Sequence, residues 1–323
     1  MPPLPPAKAL LVTPAARGTR TGNRTTALRL AARLRQLGLR PRIAEQWRNE
    51  PCELLIAVHA VKSAASVLRA RAAHPRMRIV VVLAGTDLYP TFAPGAEATA
   101  ALAAADALVT LQALALDLLP TPLRAKARSI VQSATAVYAP KAATFRACVL
   151  AHLRPVKDPL LPFAALQFVP ATVPIEVVLA GRALSATAAE AARAAVADEP
   201  RAQWLGELTR RAARALLASS HVCIVPSGAE GGANVVSEAI AAGTPLLATA
   251  VAGNLGLLGA GWPGLFAAVD ARGLGVLLTR AASDAAFLGE LGAATRALQP
   301  MVAPAAELSA WRQLLGELGC VAS

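Results

Sequence analysis

Aromatic residues are scarce in this sequence. They make up 4% of its 323 residues, whereas hydrophobic residues of all kinds make up 55%. Most of the hydrophobic content is alanine, leucine and valine, and such a composition is typical of α/β proteins that pack helices on a buried sheet. The length is sufficient for two such domains.

Cysteine and histidine are also few, and neither forms a metal-binding motif. The four cysteines (Cys52, Cys148, Cys223 and Cys320) include no Cys-x-x-Cys pair, which predicts free thiols in a reducing compartment. The four histidines contain no His-Glu-x-x-His motif, and no Asp-x-Asp occurs. We therefore expect no dedicated metal site and no bound cofactor.

An unbroken membrane-spanning run is missing as well. Residues 239–269 carry no charge, but Pro245, Pro263 and several glycines divide them into shorter pieces. The N-terminal "MPPLPPAKALLVTP" has too short an apolar stretch and too many prolines for a signal peptide. We expect a cytoplasmic protein without stable membrane association.

Positive charge is in excess, with a formal net charge of +12. The arginines are spread along helices, as in "RLAARLRQLGLRPR", and aromatics are not interleaved with them. This pattern argues against a nucleic-acid partner, and arginine-rich coding bias gives the same net charge. Scattered basic loop residues suit a phosphorylated small molecule better.

Strand-like and helix-like segments alternate along the chain, which favours parallel sheets with helices on both faces. One series starts with "KALLVT" (8–13) and a second with "RACVLAHL" (146–153). Between them, "ATAVYAPKAAT" (134–144) lacks periodicity and is interpreted as a linker. The predicted fold is α/β, with two doubly wound halves in tandem. The predicted domains are residues 1–140, residues 141–300, and a C-terminal helix at 301–323 that packs back across them.

Two helices have apolar residues at helical spacing, which predicts the face that each turns to the core. In the first helix of the chain these are Leu28, Ala31, Leu34 and Leu37. In the last helix they are Leu308, Trp311, Leu315 and Leu318.

The stretch "GAEGGANVVSEAIAAGTPLLAT" (228–249) follows a predicted strand and opens a helix. Ligands of open α/β sheets bind beyond the carboxyl ends of strands, and glycines there allow a ligand close to the backbone. First-turn amides of the helix can bind a phosphate, and the carboxylates of Glu230 and Glu238 can accept bonds from sugar hydroxyls. The alternative is that the two glutamates only complement the helix dipole.

A second loop, "AHLRPVKDP", follows the first strand of the same half and contains Arg154 and Lys157. Two cations in such a loop can neutralise a diphosphate leaving group without a metal. The alternative is a solvated pair of loop residues. If the first interpretation holds, the ligand has both hydroxyls and phosphates, as a nucleotide sugar does.

These motifs resemble those of the family-four-type GT-B glycosyltransferases. The resemblance lies in S-x-x-E-G-G-x-x-x-x-x-E-A-x-A-x-G-x-P (227–245), "HLRPVKDP", "VVVLAGTDLY" (80–89) and "VTPAARGTRTGNRTTA". The N-terminal motifs are most similar to the selenosugar synthase branch of selenoneine biosynthesis. The family implies two Rossmann-like domains that face a central cleft, and the branch implies a UDP-sugar and selenophosphate as substrates.

The resemblance also implies roles for the donor-side residues. Glu238 would bind the ribose hydroxyls of UDP, and Arg154 and Lys157 would hold the diphosphate. The sugar and distal phosphate would contact Glu230 and the backbone of Gly231, Gly232, Ala233 and Asn234. Gly181 and the backbone near Leu205 would line the uracil pocket. Many family members have more residues between the arginine and the lysine than this sequence has.

The acceptor-side residues are expected in the loop "ARGTRTGNRTT" and at two further strand ends. The loop residues that suit a small trianion such as selenophosphate are Arg17, Arg20, Gly22, Asn23, Arg24 and Thr25. Alternatively, Asn23 caps the helix and the arginines are solvated. His59 and Lys62 in "VHAVKS" and Asp87 in "GTD" are further candidates, and structural roles are open for His59 and Asp87.

The expected activity is transfer of N-acetylglucosamine or glucose from UDP to selenophosphate, with release of UDP and phosphate. An anionic nucleophile does not require a strong general base, so catalysis would come from positioning and from neutralising the leaving UDP. The alternatives are a glycosyltransferase with a hydroxyl or lipid acceptor and a non-catalytic nucleotide-sugar-binding protein. A dehydrogenase is disfavoured, because Pro263 interrupts "GAGWPG" and no continuous helix is predicted after it.

Overall fold

The computed structural model describes residues 8–19, 21–85, 87–89, 92–197 and 199–321. By their contacts the residues divide into two compact units. The first unit comprises Met1–Gln132, Gly231–Asn234 and Pro304–Ser323. The second unit comprises Ser133–Glu230 and Val235–Ala303. The sequence-based boundary lies at residue 140, whereas the contacts change at residue 132.

The first unit contains a parallel sheet of six strands within its described residues. The strands are β1 (Lys8–Val12), β2 (Arg40–Ala44), β3 (Leu54–Val58), β4 (Arg78–Leu83), β5 (Ala107–Thr110) and β6 (Ala127–Ser129), in the order β2-β1-β3-β4-β5-β6. The helices of this part of the chain are α1 (Gly22–Gln36), α2 (Ala60–Ala73), α3 (Gly95–Ala104) and α4 (Thr121–Arg124). Ala113–Leu116 forms a 3₁₀ turn.

The second unit contains another parallel sheet, also of six strands within its described residues. The strands are β7 (Phe145–Leu150), β8 (Ile175–Ala180), β9 (Ala202–Trp204), β10 (Val222–Val225), β11 (Leu246–Thr249) and β12 (Leu265–Phe266), in the order β12-β11-β10-β7-β8-β9. The helices are α5 (Leu161–Ala165), α6 (Ala186–Ala197), α7 (Arg210–Ser219), α8 (Asn234–Ala242), α9 (Ala252–Leu258), α10 (Ala271–Ser283) and α11 (Ala285–Ala297). Further 3₁₀ turns are Pro155–Lys157, Leu166–Phe168 and Gln299–Val302. The last helix, α12 (Pro304–Glu317), belongs to the first unit.

Each sheet has a point at which the chain reverses the direction in which strands are added. In the first sheet this point lies between β1 and β3, and in the second it lies between β7 and β10. The loops at the carboxyl ends of such strand pairs diverge and leave a crevice, which is where α/β proteins bind ligands. A ligand site is therefore expected among the loops that follow β1, β3, β7 and β10.

The strands form as they do because they are continuous aliphatic runs. All five residues of β3 are buried, as are five of the six in β4. Strands buried on both faces are expected where helices cover both sides of a parallel sheet. Among the described residues, none of the helices has the length and hydropathy needed to cross a membrane.

The predicted core face of α1 was wrong at one position. Leu28 is 47% exposed, and the helix instead packs through Ala27, Leu30, Ala31 and Leu34. That set also has helical spacing, but the buried position of the first turn is Ala27 and not Leu28. The face of α12 was predicted better. Its Trp311 and Leu315 are buried in the hydrophobic cluster that also contains Leu30 and Leu34 of α1.

Candidate functional site

Two loops meet where β7 and β10 end. Lys157 follows β7, Glu230 follows β10, and Lys157 Nζ lies 2.5 Å from Glu230 Oε1. The backbone amide of Gly228 donates to the Val156 carbonyl at 2.9 Å, so the loops are also joined through their main chains. The lysine side chain is 30% exposed and the glutamate side chain 6%. The switch point of the second sheet thus holds a charged pair with its cation on the open side.

Glu230 is fixed by its neighbours. The Ser227 hydroxyl donates to Glu230 Oε1 at 2.6 Å, and the Ser227 carbonyl accepts from Thr249 Oγ1 at 2.6 Å. Asn254 Nδ2 in turn donates to the Thr249 carbonyl at 3.0 Å. A Cβ on Gly253 would lie 2.0 Å from the Glu230 carbonyl oxygen, so the start of α9 packs directly on this residue. The carboxylate therefore has little freedom to move.

Arg154 lies on the same loop as Lys157 but does not share its ion pair with Glu230. It precedes the 3₁₀ turn Pro155–Lys157 and is exposed. Within the described part of the chain it makes no ion pair with Glu230. The turn ends at Asp158 with a left-handed φ of 40°, and burial raises the pKa of the Asp158 carboxyl. Of the three predicted catalytic residues, the structure brings together Lys157 and Glu230 and leaves Arg154 at the loop surface.

The other donor-side candidates lie at neighbouring strand ends of the second sheet. Gly181 follows β8, and a Cβ there would lie 1.7 Å from the Ala151 carbonyl oxygen. Its carbonyl accepts from the Trp204 indole at 2.9 Å, and Leu205, which follows β9, is 39% exposed. A glycine at position 181 is therefore explained by the close approach of the neighbouring main chain.

Glu238 lies on α8, beside a pair of buried thiols. Cys148 and Cys223 face each other across β7 and β10, and both are buried. The hydrogen bond that the Cys223 thiol donates to Cys148 is the largest cause of a raised pKa of Cys223, followed by burial and by the charges of Cys148 and the nearby Glu238 carboxylate. These thiols are free, as predicted.

The glycine loop, residues Gly231–Asn234, belongs by its contacts to the first unit. A Cβ on Gly231 would lie 2.3 Å from Gly85 Cα. Gln132 Nε2 donates to the Gly232 carbonyl at 3.2 Å, and Asn234 Oδ1 accepts from Arg29 at 2.8 Å. The close approach that the sequence suggested for a ligand at Gly231 is thus made by the main chain of Gly85. Ala233 is buried, at 8% exposure.

The acceptor-side loop leads into α1 as expected, but its cap differs. Thr21 is the N-cap, with its hydroxyl accepting from the Arg24 amide at 3.4 Å, and Asn23 is already inside the helix. Threonine is also a favoured N-cap residue, and here it stands two residues before Asn23. Arg17 and Gly22 are exposed, whereas Asn23, Arg24 and Thr25 are half-buried. Arg20 lies outside the described residues.

His59 and Asp87 meet at the carboxyl ends of β3 and β4. Asp87 is 3% exposed, and its carboxylate accepts from the amides of Ala60 at 2.8 Å and Gly85 at 2.7 Å. His59 Nδ1 lies 3.9 Å from Asp87 Oδ2 and accepts from the Lys62 amide at 3.4 Å. Burial lowers the pKa of His59, opposed by Asp87, which raises it. Both residues therefore organise the main chain around the start of α2, while the Lys62 side chain is exposed.

The backbone of His59 is strained. Its φ of 74° lies in the left-handed region, which residues other than glycine seldom adopt. Such strain persists where the surroundings impose it and is concentrated at functional sites. Its place beside the β1–β3 switch point makes His59 the acceptor-side candidate with the clearest structural signal.

Among the described residues, no group of three or more His, Cys, Asp or Glu side chains is placed to hold a metal ion. Sequence reasoning missed several hydrogen-bonded polar residues in each unit. They are Thr26, Arg29, Gln132 and Glu307 in the first unit, and Thr249 and Asn254 in the second. Ser227 was part of the quoted motif, but its bond to Glu230 was not anticipated.

Two Rossmann-like units, each with a parallel doubly wound sheet, define the fold of the GT-B glycosyltransferases, and this chain has that fold. The predicted fold class is confirmed. Residues 148–284, which include Lys157 and Glu230, match the family described as glycosyl transferases group 1.

Solved structures of the same fold cover nearly the whole chain. Sucrose-phosphate synthase from Thermosynechococcus elongatus is 16% identical, with a TM-score of 0.80 over 97% of this chain and 99% of its own. Anabaena HepE, solved in complex with UDP-glucose, is 14% identical, with a TM-score of 0.75 over 98% of this chain and 100% of its own. A glycosyltransferase from Rickettsia africae is 13% identical, with a TM-score of 0.75 over 97% and 98%. No curated protein matches the sequence significantly.

Proposed function

We propose that this protein is a metal-independent glycosyltransferase that transfers N-acetylglucosamine or glucose from a UDP-sugar to selenophosphate. The observation that carries the proposal is the contact between Lys157 and Glu230 at the switch point of the second sheet. A cation and a carboxylate fixed side by side there suit a ligand that offers phosphates and hydroxyls together.

The donor half of the proposal follows from the chemistry of these side chains. Lys157, with Arg154 three residues earlier on the same loop, would bind the diphosphate and stabilise it as it leaves. Glu230 would accept a bond from a sugar hydroxyl, and Glu238 would accept from the ribose. Anabaena HepE, which has the same fold, has been solved with UDP-glucose, and this supports UDP-sugars as the first donors to test.

The acceptor half of the proposal places selenophosphate in the first unit. Nine arginines and one glutamate lie between residues 17 and 48, so the region around the loop before α1 is strongly basic. A small trianion is attracted to such a loop and to the amides of a helix start. The N-terminal motifs similar to the selenosugar synthase branch support this choice of acceptor.

The reaction balances without a metal or a general base. Selenium of selenophosphate attacks the anomeric carbon and forms a C–Se bond, while the C–O bond to UDP breaks and UDP leaves with that electron pair. Water then cleaves the Se–P bond, which releases inorganic phosphate and the selenosugar. Because the nucleophile is already an anion, the protein contributes orientation and charge neutralisation.

Mass spectrometry of the reaction products tests the proposal. The purified protein is incubated with UDP-N-acetylglucosamine or UDP-glucose, with and without selenophosphate. We expect equal amounts of UDP and a selenium-containing hexose with one donor, both lost in Lys157→Ala. Arg193→Ala, on the exposed face of α6, serves as the matched control and should retain the activity.

Other results would redirect the proposal. UDP release with a hydroxyl or lipid acceptor but none with selenophosphate would keep the glycosyltransferase and overturn the acceptor. UDP binding without transfer to any acceptor would instead indicate a non-catalytic nucleotide-sugar-binding protein.

A further inference from the structure

We propose that Arg29 is a positioning residue for glycosyl transfer, because it holds the glycine loop Gly231–Asn234 through Asn234. Its effect on turnover rests on the proposed function, whereas its effect on the loop does not. The loop follows Glu230 directly in the chain and belongs by its contacts to the first unit, as α1 does.

The central contact joins α1 to the first residue of α8. Arg29 Nη1 donates to Asn234 Oδ1 at 2.8 Å. The Arg29 side chain is only 8% exposed, so water competes little for this bond. About two turns earlier on α1, the position that a Cβ on Gly22 would take lies 3.8 Å from Asn234 Nδ2. The Asn234 side chain is therefore enclosed by α1 on both of its polar ends.

A buried carboxylate lies beside the guanidinium. Arg29 Nε lies 3.5 Å from Glu307 Oε1, and Arg33 Nε lies 3.3 Å from Glu307 Oε2. The Glu307 side chain on α12 is 4% exposed. The carboxylate is thus a buried countercharge beside the planar guanidinium whose Nη1 donates to Asn234.

A second connection from α1 reaches the same loop. Thr26 Oγ1 donates to Gln132 Oε1 at 2.8 Å, and Gln132 Nε2 donates to the Gly232 carbonyl at 3.2 Å. Thr26 and Arg29 are three residues apart and therefore share one face of α1. The helix consequently holds the loop at two points, Gly232 and Asn234.

The loop needs such support because of its conformation. Gly232 has a φ of 142°, and a Cβ there would lie 2.6 Å from Leu111 Cβ. A glycine-rich segment has many alternative conformations, so external contacts must select the one that places its amides.

The test compares two arginines that share Glu307. Arg29→Met removes the bond to Asn234, and Arg33→Met removes the matched contact with the same carboxylate from the same helix. Three quantities are measured: amide hydrogen exchange of residues 231–236, the Kd of UDP, and kcat with the UDP-sugar that the wild type uses. We expect Arg29→Met to exchange at least tenfold faster in this segment and to lose at least tenfold in kcat, with the Kd of UDP within threefold.

Arg33→Met should keep exchange, Kd and kcat within about threefold of the wild type. A double variant, Arg29→Met/Asn234→Ala, should be no slower than Asn234→Ala alone, because both changes break one contact. Equal losses in Arg29→Met and Arg33→Met would overturn the proposal, since the arginines would then contribute only to stability. Faster exchange without a fall in kcat would also overturn it.

The proposed function can fail separately. A wild-type protein that neither binds UDP nor releases it from any sugar donor would contradict that function. Hydrogen exchange of residues 231–236 would still decide whether Arg29 holds the glycine loop. Faster exchange in Arg29→Met than in Arg33→Met supports that role, and equal exchange in the two variants overturns it.

Discussion

Lys157 Nζ lies 2.5 Å from Glu230 Oε1, although 73 residues separate the two in the chain. The glutamate is nearly buried, and the lysine is partly open to solvent. Removing the lysine alone would leave an uncompensated carboxylate in a largely dry site, and losses of that kind are costly.

Lys157→Met is therefore expected to lower the free energy of unfolding by about 1–3 kcal/mol. It should also lower kcat by about 100-fold, the size of effect seen when one electrostatic group at a transition state is lost. The double variant Lys157→Met/Glu230→Gln should regain most of the stability and none of the turnover. Urea denaturation and UDP-release assays measure the two effects, and a double variant with normal turnover would contradict this role.

Ser227 is expected to matter through Glu230. Its hydroxyl donates to Glu230 Oε1 at 2.6 Å, and hydrogen bonds to charged groups contribute about 1.5–3 kcal/mol. Ser227→Ala should lower the free energy of unfolding by about 1.5–3 kcal/mol. It should also lower kcat/KM by about tenfold. Ser219→Ala, whose hydroxyl bonds only within its own helical turn at Leu216, is the control. Equal kcat/KM in the two variants would show that Ser227 does not position the carboxylate.

Gly253 is expected to tolerate no side chain. The Cβ of Gly253→Ala would lie 2.0 Å from the Glu230 carbonyl oxygen, so the start of α9 must shift. Overpacking of this kind costs about 1–3 kcal/mol. Gly289→Ala is the matched control, because nothing lies within 4 Å of its Cβ position in the middle of α11, and it should stabilise by about 0.5–1 kcal/mol. Thermal denaturation with opposite shifts in the two variants is the expected result.

The pKa of His59 predicts a pH dependence of stability. Burial lowers the pKa of this group in the folded protein, so the unfolded chain binds the proton more readily. The contribution of neutral His59 to the free energy of unfolding is fully present above the ordinary histidine pKa of about 6.5. It decreases as the pH falls below that value. His59→Asn keeps a capping side chain that tolerates left-handed backbone, and it should flatten the dependence of Tm on pH between about 7 and 5. An unchanged slope would exclude His59 as a source of acid sensitivity.

Much of the fold was predictable, because strands buried on both faces are continuous aliphatic runs and alternate with helical patterns. The face of α1 was harder to predict, since Leu28 and Leu30 both belong to stripes with helical spacing. Only the position of the sheet decides between them, and no local pattern of the sequence reveals that position. The cap at Thr21 was missed because Asn23 is an equally good capping residue.

The candidate site was predictable where its residues lie close together in the chain. Glu230 and Lys157 each stand directly after a strand, so their loops could be identified. Their contact depends on strand order, which places β7 beside β10. The support from Arg29, Gln132 and Glu307 could not be predicted, because it joins residues at least 100 positions apart and no local pattern marks them.

Calorimetric titration of the purified protein with UDP tests the central claim, that the loops after β7 and β10 bind a nucleoside diphosphate. The wild type should bind UDP, and Lys157→Met and Arg154→Met should each bind it about tenfold or more weakly, as expected for loss of a charge-assisted hydrogen bond. Arg193→Met should retain the wild-type Kd. The absence of UDP binding in the wild type, or the same Kd in all four proteins, would contradict the claim.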